Sequence, residues 1–156
     1  MPDNIAYFDN AATTYPKPEC VYQAMDLFNR NCGVSLGRGQ HKLSSKASYI
    51  ADETRQLLLQ LFHCSNKEVA FTNTATEALN VLLNGIDIPS GANVYISPFE
   101  HNAVTRTLHH LQNIRAFNII QLSVSKEDFT YDLSGISSQF NKDKPYCVII
   151  SHASNV

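Results

Sequence analysis

From residue 68 onward the sequence changes rhythm. Short apolar runs, EVAFT at 68–72, NVYIS at 93–97, FNIIQL at 117–122 and YCVIIS at 146–151, alternate with segments of helical periodicity. Three of the four runs are nearly continuous in apolar character, as strands covered on both faces are. Strands separated by a helix's length of chain pair in parallel, which implies an α/β layer fold with a parallel sheet between helices. Helices are predicted over 75–85 and 102–112, with a weaker one near 133–140. In such sheets ligands gather at the carboxyl ends of strands, where strand passes into helix.

The front of the chain is organised differently. Residues 1–16 lack helical periodicity, are rich in turn residues and read as an extended arm. After Pro18, apolar residues at Val21, Ala24, Met25 and Phe28 follow helical spacing. The stretch NCGVSLGRGQH carries three glycines and reads as a loop. A longer amphipathic helix is predicted from 43 to 63, with Ala47, Ile50, Ala51, Thr54, Leu58, Leu61 and Phe62 on one face.

With 156 residues, 44% of them hydrophobic, the chain can bury a core of its own. A formal net charge of −2 and scattered lysines and arginines argue against a nucleic-acid partner. No apolar stretch is long enough to span a bilayer, and MPDNIAYFDN lacks the pattern of a secretory signal. Cys20, Cys32, Cys64 and Cys147 show no C-x-x-C spacing, so reduced thiols in a cytoplasmic protein are expected.

Three polar segments sit at strand-to-helix junctions. In FTNTATEALN, 71–80, Thr74 and Glu77 have the spacing of a capping box. The same helix start is also suited to an anion, with the Thr76 hydroxyl as a further donor. No glycine-rich loop with a lysine is present there, so a single phosphate group fits better than a nucleotide. In FEHNAV, 99–104, His101 stands where a flat imidazole can stack on a ligand, shuttle a proton or simply cap the helix. Glu100 suits the positive end of that same helix. In SHASNV, 151–156, Asn155 can donate to a ligand oxygen or shape a turn. Further forward, the small residues Ala11 and Ala12 followed by Thr13 allow close backbone approach. Arg38 and His41, on the glycine-rich loop, suit carboxylate capture or plain solvent exposure.

Taken jointly, YFDNAATT at 7–14, GRGQHKLS at 37–44, FTNTATEALN, EHNAV and SHASNV resemble the class V aminotransferase superfamily. These are pyridoxal-phosphate enzymes of fold type I, and the nearest likeness is to the cysteine desulfurases. The resemblance implies that residues 1–16 form an N-terminal arm and 17–156 part of the large, cofactor-binding domain. It implies that Ala75 and Thr76 bind the phosphate of pyridoxal 5'-phosphate, that His101 stacks on its ring, and that Asn155 reaches the phenolic oxygen. Ala11, Ala12 and Thr13 would lie near the substrate carboxylate, with Arg38 and His41 on a loop that approaches the site. Where many relatives carry glycine, this chain has Thr74.

The implied activity is conversion of L-cysteine to alanine with transfer of sulfur to the enzyme, in a homodimer that hands sulfur to an acceptor protein. Selenocysteine lyase and aminotransferase activities are alternatives within the superfamily. The lysine that holds the cofactor and the nucleophilic cysteine are expected beyond residue 156, and none of the four cysteines here matches that nucleophile. By itself the chain is therefore expected to be inactive, and a non-catalytic fragment acting at most as a folding or dimerisation module is the other alternative. No metal site is expected.

Overall fold

A computed structural model describes residues 6–10, 13–37, 39 and 41–153. It divides into two compact units, Met1–Ala70 and Phe71–Val156.

The first unit carries helices α1 (Glu19–Cys32) and α2 (Lys42–Leu61). Pro18 precedes α1, where its fixed φ suits a helix start and its missing N–H leaves nothing unsatisfied. Cys32, at the end of α1, is buried, and its thiol donates to the Leu43 carbonyl at the start of α2 (3.3 Å). Ser44 and Ala47 of α2 are also buried, small residues that let the helix approach its neighbours closely. The apolar run at 68–72, predicted as a strand, is not one. Among the described residues no strand pairs with it, and Phe71 is half exposed.

The second unit is the α/β layer structure anticipated from the alternating runs. Its elements are α3 (Ala75–Gly85), β1 (Asn93–Ile96), α4 (Asn102–Arg115), β2 (Asn118–Gln121), α5 (Leu133–Lys142) and β3 (Cys147–Ile149). The three strands form a parallel sheet in the order β2-β1-β3. In register, Val94 stands opposite Ile119 on one side and Cys147 on the other. The chain leaves β1 for β2 on one flank, then returns past β1 to place β3 on the other. Crossovers of the same hand running in opposite directions put their helices on opposite faces.

The side chains of β1 confirm that division. Val94 and Ile96 are buried with Leu83 of α3 and Val104, Leu108 and Leu111 of α4. Tyr95 points the other way. Its hydroxyl donates toward the carbonyls of Gln139 (3.1 Å) and Asp143 (2.8 Å) on α5, and its ring meets Phe140 edge-on at 4.8 Å. Three layers result, with β1 covered on both faces. Burial, reinforced by nearby Asp143, raises the Tyr95 phenol above its ordinary pKa, so the hydroxyl stays a donor.

The connections are fixed by side chains that close onto backbone. Gly91 turns the chain into β1 at φ +78°, a conformation glycine adopts without a steric penalty. Arg115 donates to the carbonyls of Ile86 and Asn84, tying the end of α4 to the end of α3. Gln139 of α5 accepts from the Ser123 amide and donates to the Gln121 carbonyl, holding the end of β2. Asp132 caps α5, accepting from the Gly135 amide (3.0 Å), and this bond, with those from Ser134 and Ser123, lowers its carboxyl pKa.

Leu108 is fully buried between the helix layer and the sheet. Leu108→Ala is expected to lower stability by about 2–5 kcal/mol through lost contacts and a residual cavity. Urea unfolding followed by far-UV circular dichroism measures it; a change under about 1 kcal/mol would contradict this core.

Candidate active site

The strand order reverses at β1, so a crevice is expected outside its carboxyl end. Glu100 and His101 stand there, between β1 and α4. A cleft of about 470 Å³ runs from His101 between two helices, lined by Thr76, Asn80 and Asn84 of α3 and by His101, Asn102, Arg106 and His110 at α4.

One end of the cleft is the start of α3. Thr74 caps it, its Oγ1 accepting from the Glu77 amide at 3.1 Å. Glu77 answers one residue further back than a standard capping box, accepting from the Asn73 amide (2.9 Å) and side-chain amide (3.1 Å). The amides of Ala75 and Thr76 come too early in the helix to have an intrahelical acceptor. Both residues are exposed. Two free donors and the positive end of the helix, with a threonine hydroxyl in the first turn, make a donor set that fits a phosphate dianion.

The other wall begins with His101, the N-cap of α4. Its Nδ1 accepts from the Ala103 amide at 3.0 Å, which pins the ring and, in neutral imidazole, leaves the proton on Nε2. The ring is exposed, so one face is open to a planar ligand. Thr107 joins the two walls, donating to the Ala103 carbonyl (2.7 Å) and lying 3.0 Å from Asn80 Oδ1. Asn80 in turn donates to the Thr76 carbonyl at 2.8 Å, so the cleft floor is fixed by side chains of both helices.

Of the predicted site residues, Ala75, Thr76 and His101 belong to this unit, and Thr76 and His101 line the same cleft. Thr13 and His41 belong to the other unit. Thr13 is exposed, its amide 3.5 Å from the Asp9 carbonyl. His41 is the N-cap of α2, its Nδ1 accepting from the Ser44 amide at 3.2 Å. Gly39 makes room for that ring, since a Cβ there would come within 2.7 Å of it. Ala11, Ala12, Arg38 and Asn155 lie outside the described residues.

Two features escaped the sequence reading. Asn80, Asn84, Arg106 and His110 line the cleft as i, i+4 continuations of Thr76 and Asn102, a polar stripe on each helix that the spacing alone could have shown. Glu100, read as a helix-dipole partner, instead binds across the sheet. Its carboxylate accepts from the Ser97 hydroxyl (2.6 Å) and from the Ser151 amide (2.6 Å) and hydroxyl (2.8 Å). Ser151 is distant in sequence, so no local pattern marked it.

A three-stranded parallel sheet between helix layers, with a side-chain-capped helix start on either side of one cleft, defines an α/β-layer protein. The class-V aminotransferase family model matches residues 6–156, and the chain belongs to that family. It is 30% identical over 96% of its length to the cysteine desulfurase IscS of Buchnera aphidicola, of which it covers 37%. It is 28% identical over 98% of its length to the cysteine desulfurase SufS of Plasmodium falciparum, covering 29% of that protein. Among solved structures, an apo cysteine desulfurase from Thermococcus onnurineus superposes with a TM-score of 0.85 at 26% identity, over 96% of this chain and 37% of that one. The chain thus spans about a third of the length of these relatives.

Thr74→Ala removes the cap that orders the first turn of α3 and is expected to cost about 1 kcal/mol, read from thermal or urea unfolding. An unchanged midpoint would mean that Thr74 does not hold this helix start. A second test concerns the thiols: all four cysteines are free, Cys20 is exposed, and partial burial raises the Cys147 thiol pKa. At neutral pH iodoacetamide should therefore alkylate Cys20 well before Cys147, as peptide mass mapping would show. Faster labelling of Cys147 would place that thiol outside the sheet.

Proposed function

We propose that this chain provides the phosphate-binding and ring-stacking part of a pyridoxal-phosphate-dependent cysteine desulfurase. The observation that carries the reading is the meeting of Thr76 and His101 on one cleft between α3 and α4, with His101 in the turn that follows the central parallel strand. Family membership and the likeness to cysteine desulfurases support it.

Bound in this cleft, pyridoxal 5'-phosphate supplies an electron sink for cleaving bonds next to an amino acid's amine. The chain's own residues orient and protect. Ala75 and Thr76 donate their amides, and Thr76 its hydroxyl, to the phosphate. His101 lays its imidazole against the pyridine face. With Nδ1 engaged by the Ala103 amide, Nε2 is the nitrogen left to hold or release a proton beside the reacting amino acid. Asn155 is assigned to the cofactor's phenolic oxygen. Ala11, Ala12, Thr13, Arg38 and His41 are assigned to the substrate side, where arginine suits a carboxylate.

The substrate we assign is L-cysteine, with alanine and enzyme-bound sulfur as products, in a cytoplasmic homodimer that passes sulfur to an acceptor protein. The arm 1–16 and the domain part 17–156 are assigned to substrate approach and cofactor binding respectively.

Borohydride reduction of the natively expressed protein, then peptide mapping, tests the reading. A pyridoxyl group on a lysine of the same polypeptide, and production of alanine from L-cysteine, are the expected results. With His101→Ala, cofactor retention should fall while the fold, read by circular dichroism, persists. A protein that neither retains the cofactor nor consumes L-cysteine would overturn the proposal.

A further inference from the structure

Glu100 makes its three bonds at the carboxyl ends of two neighbouring strands. Ser97, where β1 ends, donates its hydroxyl to Oε1 at 2.6 Å, and the same Ser97 oxygen accepts from the Phe99 amide at 3.2 Å. Ser151, just past β3, donates its amide to Oε1 at 2.6 Å and its hydroxyl to Oε2 at 2.8 Å. Ser97 is buried, and Glu100 and Ser151 are half-buried. The strand ladder leads directly into this cluster, since the Ser97 amide donates to the Ile149 carbonyl at 3.0 Å.

Beyond Ile149 the parallel ladder stops, and nothing in the backbone alone would set the distance between the two strand ends. Glu100 replaces the missing rungs with charge-assisted bonds, which are shorter and stronger than neutral ones. The residue after it is His101. The backbone that carries the imidazole is thereby tied on one side to Ser151 and on the other to α4 through the Ala103 amide.

We propose that Glu100 is a positioning residue. It clasps the β1–α4 turn to the end of β3 and so fixes where the His101 ring stands over the cofactor, while leaving the phosphate end of the cleft to α3. This rests on the cofactor reading given above and adds to it a group that touches no cofactor.

The distribution of its bonds makes the idea separable from a charge effect. Oε1 takes two of the three donors, so the carbonyl oxygen of a glutamine can keep the Ser97 hydroxyl and the Ser151 amide. The Ser151 hydroxyl can then turn to accept from the carboxamide. Glu100→Gln should preserve the clasp, whereas Glu100→Ala leaves those donors without it.

The test uses the full chain, wild type and with Glu100→Ala, Glu100→Gln or Ser151→Ala. Dissociation constants for pyridoxal 5'-phosphate and for inorganic phosphate are read beside amide hydrogen exchange at Ser151. In the wild type the Ser151 amide should be protected, and pyridoxal 5'-phosphate should bind tighter than phosphate. Glu100→Ala should lose the Ser151 protection and weaken pyridoxal 5'-phosphate about tenfold, with inorganic phosphate changed less than about twofold. Ser151→Ala should move in the same direction, and Glu100→Gln should recover most of the loss.

Equal weakening of both ligands with protection lost across the sheet would mean a general structural role, and the proposal would fall. It would fall equally if Glu100→Ala left the pyridoxal 5'-phosphate constant unchanged, or if Glu100→Gln were as damaging as alanine. A wild type that holds pyridoxal 5'-phosphate no tighter than phosphate would instead remove the cofactor reading itself, and this inference with it.

Discussion

The structure of the second unit depends on one strand that has no exposed face. β1 places Val94 and Ile96 under α3 and α4, and Tyr95 under α5, so each helix layer is positioned by the alternation of side chains along four residues. Because Tyr95 brings a hydroxyl into that burial, α5 must present two carbonyls to receive it, and Gln139 and Asp143 do so. A buried hydroxyl without such partners would oppose folding. The polar requirement therefore fixes where α5 ends as firmly as the apolar contacts fix where α4 lies.

The site follows from the same strand. Reversal of winding at β1 opens the crevice, and the two helices that border it each begin with a side-chain cap. Thr74 and His101 close their caps in different ways. The threonine turns inward to the Glu77 amide and leaves the two preceding donors outward, whereas the histidine engages Nδ1 and leaves its ring face outward. One junction is thereby suited to an anion and the other to a flat ring, from the same structural need to satisfy the first turn of a helix.

Much of this was legible in the sequence, and the exceptions share a cause. Helix α3 was anticipated at 75–85 because Thr74 and Glu77 mark its start locally, and α2 emerged within two residues of its predicted ends. The class of fold followed from alternation alone. The run at 68–72 misled because apolar character alone does not set backbone conformation. Glu100 misled because one of its two partners, Ser151, is remote. A carboxylate at a helix start has a sufficient local explanation in the helix dipole, and that explanation concealed the cross-sheet one. Among the described residues, His41 is likewise an N-cap, its Nδ1 accepting from the Ser44 amide of α2.

The span of the Glu100–Ser151 contact also bears on how the chain acquires its site. These residues lie 51 apart in sequence, whereas the caps at Thr74 and His101 close over two or three residues. Loop-closure entropy makes such distant contacts late ones, after nearby helices have formed and β1 has met β2. Both helix starts can therefore exist on a nascent chain before the strand ends are joined. The recognition elements come early and their mutual geometry last, so a chaperone or a ligand acting in that interval would meet a cleft whose parts are made but not yet aligned.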